Sequence, residues 1–152
     1  MIAWEWQAFH LLSVSQLYEI LAARQTVFIV EQRCAFLDAD GLDRHAWHLS
    51  GRNDEGQLLA YLRVVHPGAN YAEPTIGRVI TVPPGRGKGI GKELMREGIR
   101  RAEETYPGQG IRIAAQCYLE KFYRDYGFQP VGKPFDEDGI QHIEMLRPPR
   151  MG

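Results

Sequence analysis

The sequence predicts one domain, residues 1–152, with a mixed α/β fold. Segments with the two-residue repeat of strands alternate with segments that have the 3.6-residue repeat of helices. Their order is strand, helix, three strands, helix, strand, helix and two strands, which is typical of a mixed sheet covered by helices. A chain of 152 residues is also long enough to form one hydrophobic core.

The first half of the chain contains one predicted helical region among four strands. Ser13 and Gln16 have the spacing of a capping box, which predicts a helix, or a pair of helices, that begins here and continues to about Ile29. The turn Asn53-Asp54-Glu55-Gly56 joins two strands as a hairpin. The strands are Ile2–Phe9, Ala46–Gly51, Leu58–His66 and Thr75–Val82. Pro83-Pro84 ends the last of them.

The second half contains two predicted helices and three strands. The segment Lys92–Tyr106 has an apolar face at helical spacing and stops at Pro107-Gly108. A shorter helix covers Leu119–Tyr126 and ends at Gly127. The strands are Ile111–Ala115, Phe128–Val131 and Ile140–Leu146.

The composition excludes several classes of function. A net charge of −1 gives no general attraction to nucleic acid or to an anionic membrane. No apolar run approaches the ~20 residues of a membrane helix, and no signal peptide is evident. Cys34 and Cys117 form no C-x-x-C pair, and His45-x-x-His48 has no third ligand in view. We therefore expect a cytoplasmic protein that requires no metal.

The segment Arg86-Gly87-Lys88-Gly89-Ile90-Gly91 lies between a strand and a helix, where exposed N–H groups and a helix N-terminus favour an anion. It is not a dinucleotide fingerprint, because Lys92 stands at the third glycine position. It is not a P-loop either, because Arg86 replaces the first glycine and Glu93 replaces the Ser/Thr that holds magnesium. These six residues alone are compatible with a phosphate site and with a glycine-rich turn that binds no ligand.

What remains, R-x-x-G-x-G, resembles the pyrophosphate-binding motif of the GNAT N-acetyltransferases. Downstream, Phe122-Tyr123 and Gly127-Phe128 resemble the F-Y-x-x-x-G-F helix of that family, and the order of elements agrees over nearly the whole chain. The resemblance implies the GNAT fold, with a mostly antiparallel sheet, and acetyl-CoA as co-substrate. It places the diphosphate on Arg86, Gly87, Lys88, Gly89, Ile90, Gly91 and Lys92. It also makes Tyr123 a contact of the cofactor and the acid that protonates the departing thiolate, where the alternative is an aromatic core residue.

The same resemblance implies further contacts of the cofactor. Backbone groups of Ile80, Thr81 and Val82 would meet the pantetheine arm, with an N–H near Val82 for the thioester oxygen. Gln116 stands where many members of the family carry an asparagine that binds the same arm. The general base is sought among Glu31, His48, Glu137 and His142, each of which has a structural role as its alternative. Glu31, near the expected substrate wall, and His142 are our candidates.

Three more segments are similar to the ElaA-like group of GNAT proteins: Arg24 to Gln32, the acidic loop Asp38-x-Asp40-x-x-Asp43, and Glu137 to His142. The first two also resemble acyl-homoserine-lactone synthases, which carry a later arginine, here Arg63. The acidic loop has two interpretations. It either attracts a cationic amine or pairs with Arg24 and Arg63, and we favour the pairing.

Together these features predict an N-acetyltransferase that moves an acetyl group from acetyl-CoA to a primary amine by direct attack in a ternary complex. The acceptor is a small-molecule or peptide amine, and a homodimer is compatible with the sequence. Two alternatives remain: an acyl-CoA-binding sensor without turnover, and an acyltransferase of the lactone-synthase type with a larger acyl donor.

Overall fold

The computed structural model describes residues 1–149, so the last three residues of the predicted domain lie outside the described part of the chain. Its strands and α-helices, in chain order, are β1 Ala3–Ala8, α1 Val14–Arg24, β2 Ala46–Arg52, β3 Leu58–Val65, β4 Thr75–Thr81, α2 Ile90–Thr105, β5 Ile111–Gln116, α3 Glu120–Arg124, β6 Gln129–Pro130, β7 Phe135–Glu137 and β8 Ile140–Arg147. This order confirms the mixed α/β prediction. One short strand, β7, was not predicted.

The first helix begins and ends as its sequence directs. The Ser13 hydroxyl accepts the Gln16 N–H at 3.0 Å, and the Gln16 side chain accepts the Ser13 N–H at 2.8 Å, which confirms the capping box. After Arg24 the chain widens into a π-helical segment, Gln25–Glu31. The chain is therefore helical over the whole predicted range, but from Gln25 onward it has π geometry, a form that often occurs at functional sites.

The strands of the described residues form one sheet with the order β1-β2-β3-β4-β5-β8-β6, and β7 pairs with β8. Neighbours are antiparallel except β4 and β5. Tyr61 and Leu62 are consecutive on β3 and so point to opposite faces of the sheet. Leu62 packs in the cluster formed with α2, whereas Tyr61 packs with Ile20 of α1.

The sheet separates in its middle. Within residues 1–149, β4 and β5 share one registered pair, Thr75 with Arg112, at the start of both strands. Beyond this pair the two strands diverge, so their later main-chain groups face an opening instead of each other. Helix α2 packs on one face of the sheet, where Gly98 lets the helix approach Leu62 of β3 closely: an added Cβ would lie 2.6 Å from its Cδ2 atom.

Strand β4 also carries a β-bulge. Tyr61 pairs with Ile80 and Arg63 pairs with Gly77, so two residues of β4, Arg78 and Val79, oppose the single residue Leu62. Arg78 has φ 52°, in the left-handed region that side chains other than glycine seldom adopt. The bulge lies where β4 leaves β5, at the opening of the sheet.

Candidate active site

A cavity of about 590 Å³ occupies the opening between β4 and β5. Its walls include strand residues from both sides of the gap, the helix α3, the acidic loop and the β7–β8 turn. Among its described lining residues are Ile80, Thr81, Arg86, Gln116, Tyr123 and His142. The structure therefore brings together six of the residues that the sequence predicted for cofactor binding or catalysis.

The glycine loop at one end of this cavity presents its backbone to solvent. Gly87 and Gly89 have φ values of 80° and 73°, and no described atom lies within 4 Å of a Cβ added at either. Gly89 is the N-cap of the 16-residue helix α2, and no described side chain caps that helix. An anion can approach these N–H groups and the positive end of the helix dipole together. The loop thus fits the diphosphate that the sequence assigned to it.

Arg86 already has two partners. Its Nη2 atom lies 2.7 Å from Glu31 Oε1, and its Nε–H donates to the Thr81 carbonyl at 3.0 Å. Glu31 does not occur among the described residues that line the cavity. The carboxylate predicted as a base therefore pairs with the first residue of the cofactor loop, and that residue, Arg86, lines the cavity. The role of Glu31 as a base stays a prediction.

The backbone of β4 limits which N–H near Val82 can meet a thioester oxygen. The Val82 N–H donates to the Leu59 carbonyl at 2.9 Å, so that N–H is taken by β3 and is not available for a thioester oxygen. Hydrogen bonding alternates along an antiparallel pair. The N–H of Thr81 consequently points away from β3, toward the opening, and becomes the candidate donor in place of the N–H of Val82.

Tyr123 is held rigidly against the cavity. Its ring makes edge contacts with Phe122 and Phe128, at centroid distances of 5.2 Å and 6.0 Å, and it is 7% exposed. Burial, and secondarily the neighbouring Tyr118, raises the pKa of Tyr123 to about 12. The phenol therefore carries its proton at neutral pH, as a general acid must. The Tyr126 hydroxyl donates to the Lys92 carbonyl at 3.4 Å and so joins this region to the first turn of α2.

His142 lies directly across from Gln116, since the two residues are partners in the β5–β8 register. Its Nδ1 atom lies 2.8 Å from the Ile140 carbonyl, which can only accept, so Nδ1 carries the proton. Nε2 is then the basic nitrogen, and it lies 3.4 Å from Glu137 Oε2.

The other candidate histidine has a structural environment. His48 is buried, and its ring nitrogens lie 2.7 Å from the Tyr61 hydroxyl and 2.9 Å from the Asp43 carbonyl. Burial lowers the pKa of His48. It is not among the described residues that line the cavity, so we do not retain it as a base.

The acidic loop forms a closed ring with three arginines, which we call the Arg–Asp ring. Arg24 lies 2.7 Å from Asp38 and 2.6 Å from Asp43. Arg63 lies 2.9 Å from Asp43 and 2.6 Å from Asp40. Arg78 lies 2.7 Å from Asp38 and 3.3 Å from Asp40, so every member pairs with two of the opposite charge.

The ring confirms the predicted pairing of Asp40 and Asp43 with Arg24 and Arg63. Arg78 was not predicted as a member of this pairing, and the structure adds it. Burial alone would raise the pKa of Asp40, but the bonds from Arg63 and the charge of Arg78 hold it well below its usual value. Within residues 1–149 the ring is fully buried at Arg24, whereas Arg78 and Asp40 reach the cavity.

In the part of the chain that the structure describes, no three His, Cys, Asp or Glu side chains converge as a metal site requires. The described helices are also too short or too polar to cross a membrane.

Comparison with known proteins places this geometry in a family. Residues 43–147 match the acetyltransferase (GNAT) domain. UPF0039 protein sll0451 of Synechocystis is 46% identical over 145 residues, which cover 95% of this chain and 94% of that protein. Protein ElaA of Escherichia coli is 41% identical over 150 residues, 94% of this chain and 95% of ElaA.

Solved structures agree. An acyl-CoA N-acyltransferase from Pseudomonas aeruginosa superposes with a TM-score of 0.92 at 37% identity, over 97% of this chain and 99% of that one. Escherichia coli ElaA superposes with a TM-score of 0.89. The acyl-homoserine-lactone synthase LasI shares the fold at a TM-score of 0.77, but with 14% identity it shows the fold alone. The chain therefore belongs to the GNAT family, in its ElaA-like group, and is an acyltransferase that uses acyl-CoA as co-substrate.

Proposed function

We propose that this protein transfers an acetyl group from acetyl-CoA to a primary amine. The observation that carries the proposal is the position of the open glycine loop and of Tyr123 at one cavity, between strands that part after a single pair. A diphosphate on the loop and a thioester beside the phenol would then belong to one extended ligand lying along β4.

The cavity residues supply a role for each step of the reaction. His142, at Nε2, takes a proton from the ammonium group of the acceptor, directly or through water. The amine nitrogen then attacks the thioester carbon, and the resulting oxyanion accepts the N–H of Thr81. As the carbon–sulfur bond breaks, the thiolate takes the proton of Tyr123. The second proton of the attacking nitrogen passes through water to the Tyr123 phenolate, and His142 releases the first proton to solvent. The products are the N-acetyl amine and free coenzyme A.

The charges of the cavity support a cationic acceptor. Arg63 and Arg78, which line it, are neutralised within the Arg–Asp ring. Glu137 and Asp138 also line it and lie outside that ring. An ammonium group that enters the cavity beside Glu137 and Asp138 meets their carboxylates first and His142 next.

One observation favours a second acyl donor. The cavity is lined at Thr81 and also at Val65 and Ile76, toward the other end of β4. An acyl chain longer than acetyl is therefore the second candidate, as in the alternative that resembles the lactone synthases.

The test is a panel of primary amines with acetyl-CoA and hexanoyl-CoA, read by the release of free thiol. Amine-dependent release with acetyl-CoA, and slower release with hexanoyl-CoA, is the expected result. Faster release with hexanoyl-CoA would show that the enzyme prefers a longer acyl donor and would overturn acetyl transfer. Tight binding of both without any release would instead support a sensor.

A further inference from the structure

Arg78 connects two parts of the site that the chain keeps apart. Its backbone lies in the bulge of β4, at the opening where the thioester would lie, with φ 52°. Its side chain leaves the strand and reaches the acidic loop, where Nη2 donates to the Asp38 carbonyl at 2.9 Å. The guanidinium also lies over the ring of Phe28, 5.7 Å from its centroid. Arg78 therefore belongs to β4 and contacts both the acidic loop and the π-helical segment.

The left-handed backbone of Arg78 requires an external restraint. A residue with a side chain holds such a conformation only where its surroundings fix it. Here two of the three aspartates of the ring provide the restraint, because Asp38 pairs with the guanidinium at Nε and Asp40 pairs with it at Nη2. Each aspartate is in turn held by a buried arginine, Arg24 or Arg63.

We propose that Arg78 is a positioning residue, through which the Arg–Asp ring holds the β4 bulge in register with the acyl group. The inference rests on the proposed function, because it assigns to the bulge the task of presenting the β4 backbone to the thioester. We expect the glycine loop to persist without this pairing, because Arg86 is held at the Thr81 carbonyl, after the bulge, and Gly89 begins α2. Cofactor affinity should therefore persist while turnover falls.

Arg52 provides a matched control. It bridges two carboxylates, Glu5 at 2.9 Å and Glu19 at 3.2 Å, and is also mostly buried. It too lies beside a register shift, between Gly51 and Arg52. Arg52 is absent from the described lining of the cavity, so its loss removes an ion-pair bridge without touching the bulge of β4.

The variants to compare are Arg78→Ala, Arg78→Gly, Arg78→Lys and Arg52→Ala. For Arg78→Ala we expect a fall of at least tenfold in kcat, with the Kd for coenzyme A within twofold of wild type. Arg78→Gly should be no better, although glycine accepts φ 52° freely, and Arg78→Lys should recover part of kcat. Arg52→Ala should keep both constants. Wild-type kcat in Arg78→Gly would overturn the proposal, because the side chain would then be dispensable.

Hydrogen exchange of residues 75–82 gives a readout that does not depend on turnover. We expect faster exchange of this segment in Arg78→Ala than in Arg52→Ala, even where the two variants lower the melting temperature equally. Equal exchange in the two variants would refute the positioning role even if the wild type turned over no amine. Absence of turnover in the wild type, with the exchange difference present, would instead refute the proposed function alone.

Discussion

Replacement of Gly89 by leucine is expected to abolish the binding of acetyl-CoA while costing no more stability than the same change at a remote turn. Gly89 has φ 73° and open space around its Cβ position. A side chain there enters the volume that the diphosphate needs, and it also strains the backbone. Gly56, in the β2–β3 turn, has φ 80° and the same open surroundings, so Gly56→Leu reproduces the strain alone.

The magnitudes follow from the backbone angle and from linkage. A left-handed residue with a side chain costs about 1–2 kcal/mol, and each 1 kcal/mol shifts Tm by about 2–4 °C in a chain of this size. Both variants should therefore melt about 2–8 °C below wild type. Acetyl-CoA at 100 times its Kd stabilises by about 2.7 kcal/mol, or about 5–11 °C.

The assay is thermal unfolding with and without acetyl-CoA. Wild type and Gly56→Leu should show the full shift caused by the cofactor, and Gly89→Leu should show none. If Gly89→Leu keeps the wild-type shift, the diphosphate does not lie on this loop, and the assignment of residues 86–92 fails.

The remaining predictions concern the acid, the ring and pH. Tyr123→Phe should lower kcat by about 10²-fold with an unchanged Kd for coenzyme A, as measured by thiol release and titration; an unaltered kcat would remove the phenol from the mechanism. Asp43→Ala should cost about 3–5 kcal/mol in denaturant unfolding, because it leaves Arg24 and Arg63 buried with an unbalanced charge. The exposed control Asp54→Ala should cost less than about 0.5 kcal/mol. Because the folded pKa of Asp40 is depressed, its stabilisation is present above the unfolded pKa of about 3.9 and is lost as pH falls below it. Tm should thus fall less steeply between pH 4 and 2 in Asp40→Asn than in wild type, and parallel curves would contradict the shift.

The fold and one end of the site were predictable because their signals are local. The Ser13 cap, the hairpin turn and the glycine loop each depend on a few consecutive residues, and all occur where expected. The pairing of Asp40 with Arg63 was predictable too, since buried charges require partners.

The features that could not be predicted depend on the register between strands. The hydrogen bond from Val82 to Leu59 depends on how β3 and β4 are aligned, and the spacing of residues along one strand does not contain this information. Glu31 and Arg86 are separated by 54 residues, and they meet only because the π-helical segment packs beside the end of β4. The bulge that turns Arg78 toward the acidic loop is likewise a property of two strands together.

The single pair between β4 and β5 has a mechanical consequence. Each half of the sheet, β1 to β4 and β5 to β8, keeps its own hydrogen bonds, and within residues 1–149 one registered pair at a strand end connects them. The angle between the halves is therefore set by the packing of α2 and the core, which is not directional. A ligand between β4 and β5 can form hydrogen bonds as an additional strand would. It can thereby fix the angle between the two halves, which the hydrogen bonds between β4 and β5 do not fix.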